Sequence, residues 1–87
     1  MAQRPKDSKL FIGGLPSRID EAELETIFSR YGTVSFVKIV IDHVGNSRGF
    51  GFVGMSKPEE ASKAVAALNG KPLQGRTLRV EAASSKG

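Results

Sequence analysis

Between Arg48 and Met55 the chain reads RGFGFVGM, and two chemistries compete for that stretch. Gly49, Gly51 and Gly54 spell G-x-G-x-x-G, the spacing with which a glycine-rich turn brings backbone amides onto a pyrophosphate. The gaps hold Phe50, Phe52 and Val53, an apolar lining at odds with a phosphate loop. A phosphate turn must also lead from a strand into a helix N-terminus, where unpaired amides converge. Here the residues from Phe50 to Met55 read as one strand, and the acid expected about twenty positions on is replaced by Gln74. The glycine match is accidental, and the rings are what remain to be explained.

Other reactive groups are sparse. His43 is the only histidine and stands beside Asp42 in DHVGNS, a loop composition in which a solvated turn residue is the ordinary role. There is no cysteine, so thiolate metal sites and cysteine nucleophiles are excluded, and no serine or carboxylate pair has an evident partner. These absences lead us to expect neither an enzyme nor a cofactor or metal site. A chain of 87 residues has room for one domain, far less than a two-half dinucleotide fold needs. Thirteen Lys and Arg against nine Asp and Glu give +4, which favours an anionic partner, nucleic acid first. The N-terminal MAQRPKDSKL lacks the apolar stretch of a signal peptide, and no run is long enough to span a membrane. We therefore expect an intracellular protein, nuclear or cytoplasmic, that is not secreted.

The elements that must carry the rings follow from periodicity. Residues 1–8 read as a disordered leader, 9–83 as the domain, and 84–87 as a flexible tail. Lys9–Gly13 is a short strand ending in Gly13–Gly14. Asp20, with Glu23 three places on, opens a helix whose Leu24, Ile27, Phe28 and Tyr31 form one apolar stripe, closed by Gly32. Val34–Ile41 is β-branched and reads as a second strand, Phe50–Met55 as a third. Ser56, with Pro58 in the first turn and Glu59 three residues after it, starts a second helix with Ala61, Ala64, Val65 and Leu68 on one side, ending at Asn69–Gly70. KPLQGR makes a turn or small hairpin before the last strand, Thr77–Ala82. The order β-α-β-β-α-β is the ferredoxin-like split βαβ plan, α+β, with two helices on one face of a four-stranded antiparallel sheet.

Alternation then sorts the faces. Leu10 and Ile12 with Val53 and Met55 suit the helix side, where Gly49 and Gly51 would let a helix pack close. Phe11, Phe50 and Phe52 are left pointing away, in the company of Lys9, Lys38, Arg48 and Arg79, opposed by Glu81 alone. In a generic small domain, a central strand buried on both faces would be the first explanation of the rings. With only two helices predicted, nothing in the chain covers a second face, which favours exposure. Clustered exposed rings among cations suit a polyanion with stackable bases.

At these residues the chain resembles the RNA recognition motif family. RGFGFVGM is similar to its octapeptide at seven of eight positions, counting the free one, and LFIGGL at 10–15 is similar to its hexapeptide. The GG form resembles the heterogeneous nuclear ribonucleoprotein and glycine-rich types. The resemblance implies that Phe11 and Phe50 stack on successive bases, Phe52 packs against sugar or backbone, Arg48 pairs with a phosphate, and Lys9 and Lys38 line the path. It implies further contacts to base edges from Arg79, Glu81, Ala82 and Ala83. Three residues depart from the pattern or add to it. Met55 stands where an aromatic closes the octapeptide, Gly14 where many members have Asn, and Phe36 shares the outward parity in a register that alternation leaves open.

The expected partner is single-stranded RNA, with single-stranded DNA as the alternative strand, bound by a monomer at about −7 to −9 kcal/mol, which is micromolar. Of two rivals on the sequence, the enzyme reading is the poor one and a peptide-binding module the serious one. Small phosphatases share the element order, and GGLPSR with Arg18 is a faint echo of their phosphate loop. Peptide-binding relatives also exist, although those tend to lose the sheet-face rings that this chain keeps.

Overall fold

The computed structural model describes residues 8–83. Strands β1 (Ser8–Gly13), β2 (Val34–Ile41), β3 (Ser47–Met55) and β6 (Arg79–Ala82) form an antiparallel sheet in the order β2-β3-β1-β6. Helices α1 (Glu21–Ser29) and α2 (Pro58–Leu68) intervene, and a two-stranded ribbon of β4 (Pro72–Leu73) and β5 (Arg76–Thr77) precedes β6. This is the ferredoxin-like fold the element order implied. The hairpin expected at KPLQGR forms, and it takes Thr77 out of the last strand, which starts at Arg79 instead. Ser8, expected in the leader, pairs with Met55 in β1. The leader at 1–7 and the tail at 84–87 lie outside the described residues.

One face of the sheet makes the core. Leu10, Ile12, Val53, Met55 and Val80 meet Leu24 and Phe28 from α1 and Ala61 and Ala64 from α2, all buried. Removing most of such a side chain costs about 3–5 kcal/mol for a phenylalanine, and Phe28 is wholly enclosed. Tyr31 belongs to the expected stripe and packs on this core, although α1 itself ends at Ser29 with Arg30 as its C-cap.

The two helix starts differ. Asp20 caps α1 as predicted, its carboxylate accepting the Glu23 amide at 2.8 Å. For α2 the expected cap is displaced by one residue: the N-cap is Lys57, and its side chain makes no capping hydrogen bond. Pro58 is the reason. The residue before a proline is held extended, and proline itself suits the first helical position. Lys57 accordingly sits at φ −137° and ψ 147°. Ser56, one place further out, sends its hydroxyl to Glu60 Oε1 at 2.9 Å. The same oxygen accepts the Thr33 amide at 3.1 Å, tying the α1–β2 turn to α2.

The glycines of β3 also serve other ends than close helix packing. Gly49 has φ +85°, a left-handed conformation that glycine adopts without strain. A Cβ on Gly51 would strike the Lys38 carbonyl of β2, so this glycine allows close strand approach. Ile39, on the outer edge of the sheet, donates its amide to Glu21 Oε2 at 3.1 Å, which anchors β2 to the first turn of α1.

Candidate nucleic-acid interface

The pairing registers generate the outer face directly. Lys38 of β2 stands opposite Phe52 of β3, Phe52 opposite Phe11 of β1, and Phe11 opposite Glu81 of β6. One row along, Phe50 faces Gly13, and Gly13 faces Arg79. One row the other way, Phe36 faces Gly54, and Gly54 faces Lys9. Since side chains alternate across a strand, these groups share the side away from the helices.

The three motif rings therefore meet. Phe11 lies with its centroid 5.9 Å from that of Phe50, tilted by 35°, and 5.9 Å from that of Phe52, nearly edge-on at 65°. All three are half-buried, held at their edges by one another while the cluster stays open to solvent. Gly13 matters here, because a Cβ on it would come within 3.1 Å of the Phe11 ring. The Lys9 ammonium stands 5.1 Å from the Phe52 centroid, within cation–π range. Lys9, Lys38, Arg48 and Arg79 are all exposed. The registers put Lys9, Lys38 and Arg79 in the rows of the rings, whereas Arg48 stands at the loop end of β3, where its charge reaches Asp42.

On β6 the pattern is partly committed already. Arg79 Nε donates to Glu81 Oε2 at 2.8 Å, and both side chains are largely exposed. An exposed pair of this kind contributes about 0–1 kcal/mol, so either member can exchange its partner for a base edge at little cost. Ala82 is exposed and Ala83 half-buried, and the Ala83 amide donates to the Lys9 carbonyl at 2.8 Å. Its N–H is therefore engaged by the β1 backbone.

The β2–β3 loop is tightened by Asp42, whose Oδ1 accepts the amides of Val44 at 2.9 Å and Asn46 at 3.0 Å. The Asn46 amide above all, with those of Val44 and Gly45 and the Arg48 charge, holds the Asp42 carboxyl below its ordinary range. His43 projects from this loop into solvent.

Phe36 is the functional candidate that alternation alone did not secure. The structure puts it on the ring face, 39% exposed, with its ring over Gly54. The signal was divided between two positions: an aromatic at 36 and a glycine at the free position of the octapeptide. Met55 is wholly buried on the helix side, which makes it a packing substitution remote from the rings. Gly14 has φ +74°, a conformation that Asn also tolerates, but a Cβ there would meet the Thr77 carbonyl.

Known proteins are similar to this chain in sequence and in fold. The 28 kDa chloroplastic ribonucleoprotein of Nicotiana sylvestris is 47% identical over 79 residues, which cover 90% of this chain and 29% of that protein. The mitochondrial glycine-rich RNA-binding protein 3 of Arabidopsis thaliana is 44% identical over 80 residues, 91% of this chain and 26% of its own length. The chain thus spans about a quarter to a third of these curated relatives. Among solved structures, the crystal structure of RNA binding protein PG1 aligns with a TM-score of 0.87 at 33% identity, covering 92% of this chain and 98% of that one. The Sex-lethal RNA recognition domains 1 and 2 from Drosophila melanogaster align at 0.85 with 26% identity, over 90% of this chain and 50% of theirs. Residues 10–79 match the RNA recognition motif family itself, and with its two motifs side by side on β1 and β3 the chain belongs to that family.

Proposed function

We propose that this chain binds single-stranded RNA on the open face of its sheet, without catalysis. The observation that carries the reading is the cluster of Phe11, Phe50 and Phe52, with the Phe11 centroid 5.9 Å from each of the other two, on the sheet face away from α1 and α2 and in the rows of the exposed Lys9, Lys38 and Arg79. Phe11 and Phe50 each take a base, Phe52 packs against the intervening sugar, and Arg48, Lys9 and Lys38 meet phosphates. Arg79, Glu81 and the backbone at Ala82 and Ala83 read base edges. Relatives named as ribonucleoproteins and RNA-binding proteins support the partner class, and their chloroplastic and mitochondrial names support an intracellular setting. Single strands are favoured over duplex because paired bases offer no free face for stacking. Single-stranded DNA presents the same π-faces and is the natural competitor to test against.

Two stacked bases at about 1–3 kcal/mol each, with a few phosphate contacts, place a monomeric domain in the micromolar range. Fluorescence anisotropy with labelled single-stranded RNA, comparing wild type with a Phe50→Ala/Phe52→Ala double variant of intact circular dichroism, tests this. The expected outcome is a loss of tenfold or more. If wild type binds no RNA at low salt, the stacking reading fails, and peptide partners become the alternative.

A further inference from the structure

Three rings of the interface occupy family motif positions, and Phe36 does not. It reaches the ring face by unbroken alternation with Lys38, and two features of this chain frame it there. The pairing of β2 with β3 shifts between Val34, opposite Met55, and Phe36, opposite Gly54, which makes Ser35 the extra residue of a bulge. Strict alternation would send residues 34 and 36 to the same side. The bulge instead lets Val34 pack against the core while Phe36 turns outward. The second feature is Gly54: the Cδ2–Cε2 edge of the Phe36 ring fills the space where a side chain at 54 would begin.

A ring over a cross-strand glycine can serve simply as cover for it. Its surroundings here go further than cover requires. Phe36 keeps 39% of its surface exposed. Lys38 follows two residues on along β2, Lys9 flanks Gly54 from β1, and the Ser35 hydroxyl stands beside the same glycine. Phe52 is the diagonal neighbour of Phe36 across the β2–β3 pair, about 7–8 Å away, a spacing that a strand with unstacked bases bridges in one nucleotide step.

We propose that Phe36 is a fourth stacking platform, taking the nucleobase next to the Phe52 position and lengthening the bound segment of single-stranded RNA by one nucleotide. This rests on the ring-face reading of the preceding subsection. The chain has no tryptophan, so Phe36→Trp introduces a single indole whose emission reports contact with a base. Unlabelled random-sequence RNA octamers are titrated into this variant while anisotropy of labelled octamers is followed for wild type and for Phe36→Leu, which keeps apolar cover over Gly54. The expected results are quenching that saturates in step with binding, and affinity about fivefold or more weaker for Phe36→Leu, the loss of one stacked base. RNA binding by wild type with no indole quenching, or with Phe36→Leu binding equally well, overturns the fourth platform and leaves the three-ring reading standing. Absence of binding by wild type removes both. Should Phe36→Leu fail to fold, the quenching measurement decides alone.

Discussion

Gly14 shows how a single backbone torsion can matter more than a side chain. At φ +74° a non-glycine residue is strained, and here a Cβ would also press on the Thr77 carbonyl. Gly14→Ala is therefore expected to destabilise the fold by about 1–3 kcal/mol, measured by urea unfolding. Asparagine would relieve the torsion and keep the clash, so it should not restore wild-type stability. Neither effect could be read from the sequence, which showed a glycine pair but not the carbonyl across from it. The same holds for Gly51, where alternation gave the right side of the sheet and the wrong neighbour: the Lys38 carbonyl, where a helix was expected. By contrast, the outward placement of Phe11, Phe50 and Phe52 was legible, because the pairing of β1 with β3 runs without a shift from Ser8 opposite Met55 to Gly13 opposite Phe50.

At the scale of the element, the two helices differ in how their first turns are satisfied. Asp20 closes α1 with a capping hydrogen bond, and α2 begins at Lys57 with none. Lys57→Ser places a hydroxyl at the true N-cap and is expected to raise stability by about 0.5–1 kcal/mol, visible as a higher thermal midpoint. The Ser56–Glu60–Thr33 tie gives a reason to leave Ser56 alone in that experiment. Sequence periodicity found both helices, and their caps depended on local rules of different strength. Asp20 and Glu23 follow a capping pattern that nothing nearby opposes, whereas Pro58 overrides the serine pattern by fixing its predecessor in an extended conformation. In β2 the limit was the bulge at Ser35. One inserted residue reverses the parity of everything before it, and no residue type at 34–36 announces it. That is why Val34 packs on the core although it shares the parity of Phe36, and why the start of β2 could not be sorted by alternation until the register with Gly54 was known.

For the whole molecule, the distribution of charge decides behaviour more than its total of +4. Asp20, Glu21, Glu23 and Glu25 lie at or along α1, and Glu59 and Glu60 in the first turn of α2, while Lys9, Lys38 and Arg79 share the ring face and Arg48 stands at the loop end of β3. If each of those four cations neutralises one phosphate, log affinity falls against log salt with a slope of about −3. Anisotropy titrations between low and physiological salt are expected to give that slope or a shallower one, since Arg79 starts out paired with Glu81. A steeper slope would mean that further cations join the path, and a flat one that phosphates contribute little.

The split of β3 into a helix-facing and a ring-facing set has a consequence for how the strand records selection. Gly51, Val53 and Met55 are buried, and Phe50 and Phe52 stay partly open beside solvated Arg48. In a deep mutational scan read separately for cellular abundance and for RNA capture, sensitivity along Arg48–Val53 should alternate from residue to residue, the two traces running out of phase. Gly54, seat of the Phe36 ring, is where they should converge. A single strand would then hold two interleaved fitness landscapes, one for persistence and one for recognition, and a variant could drift in either without disturbing the other.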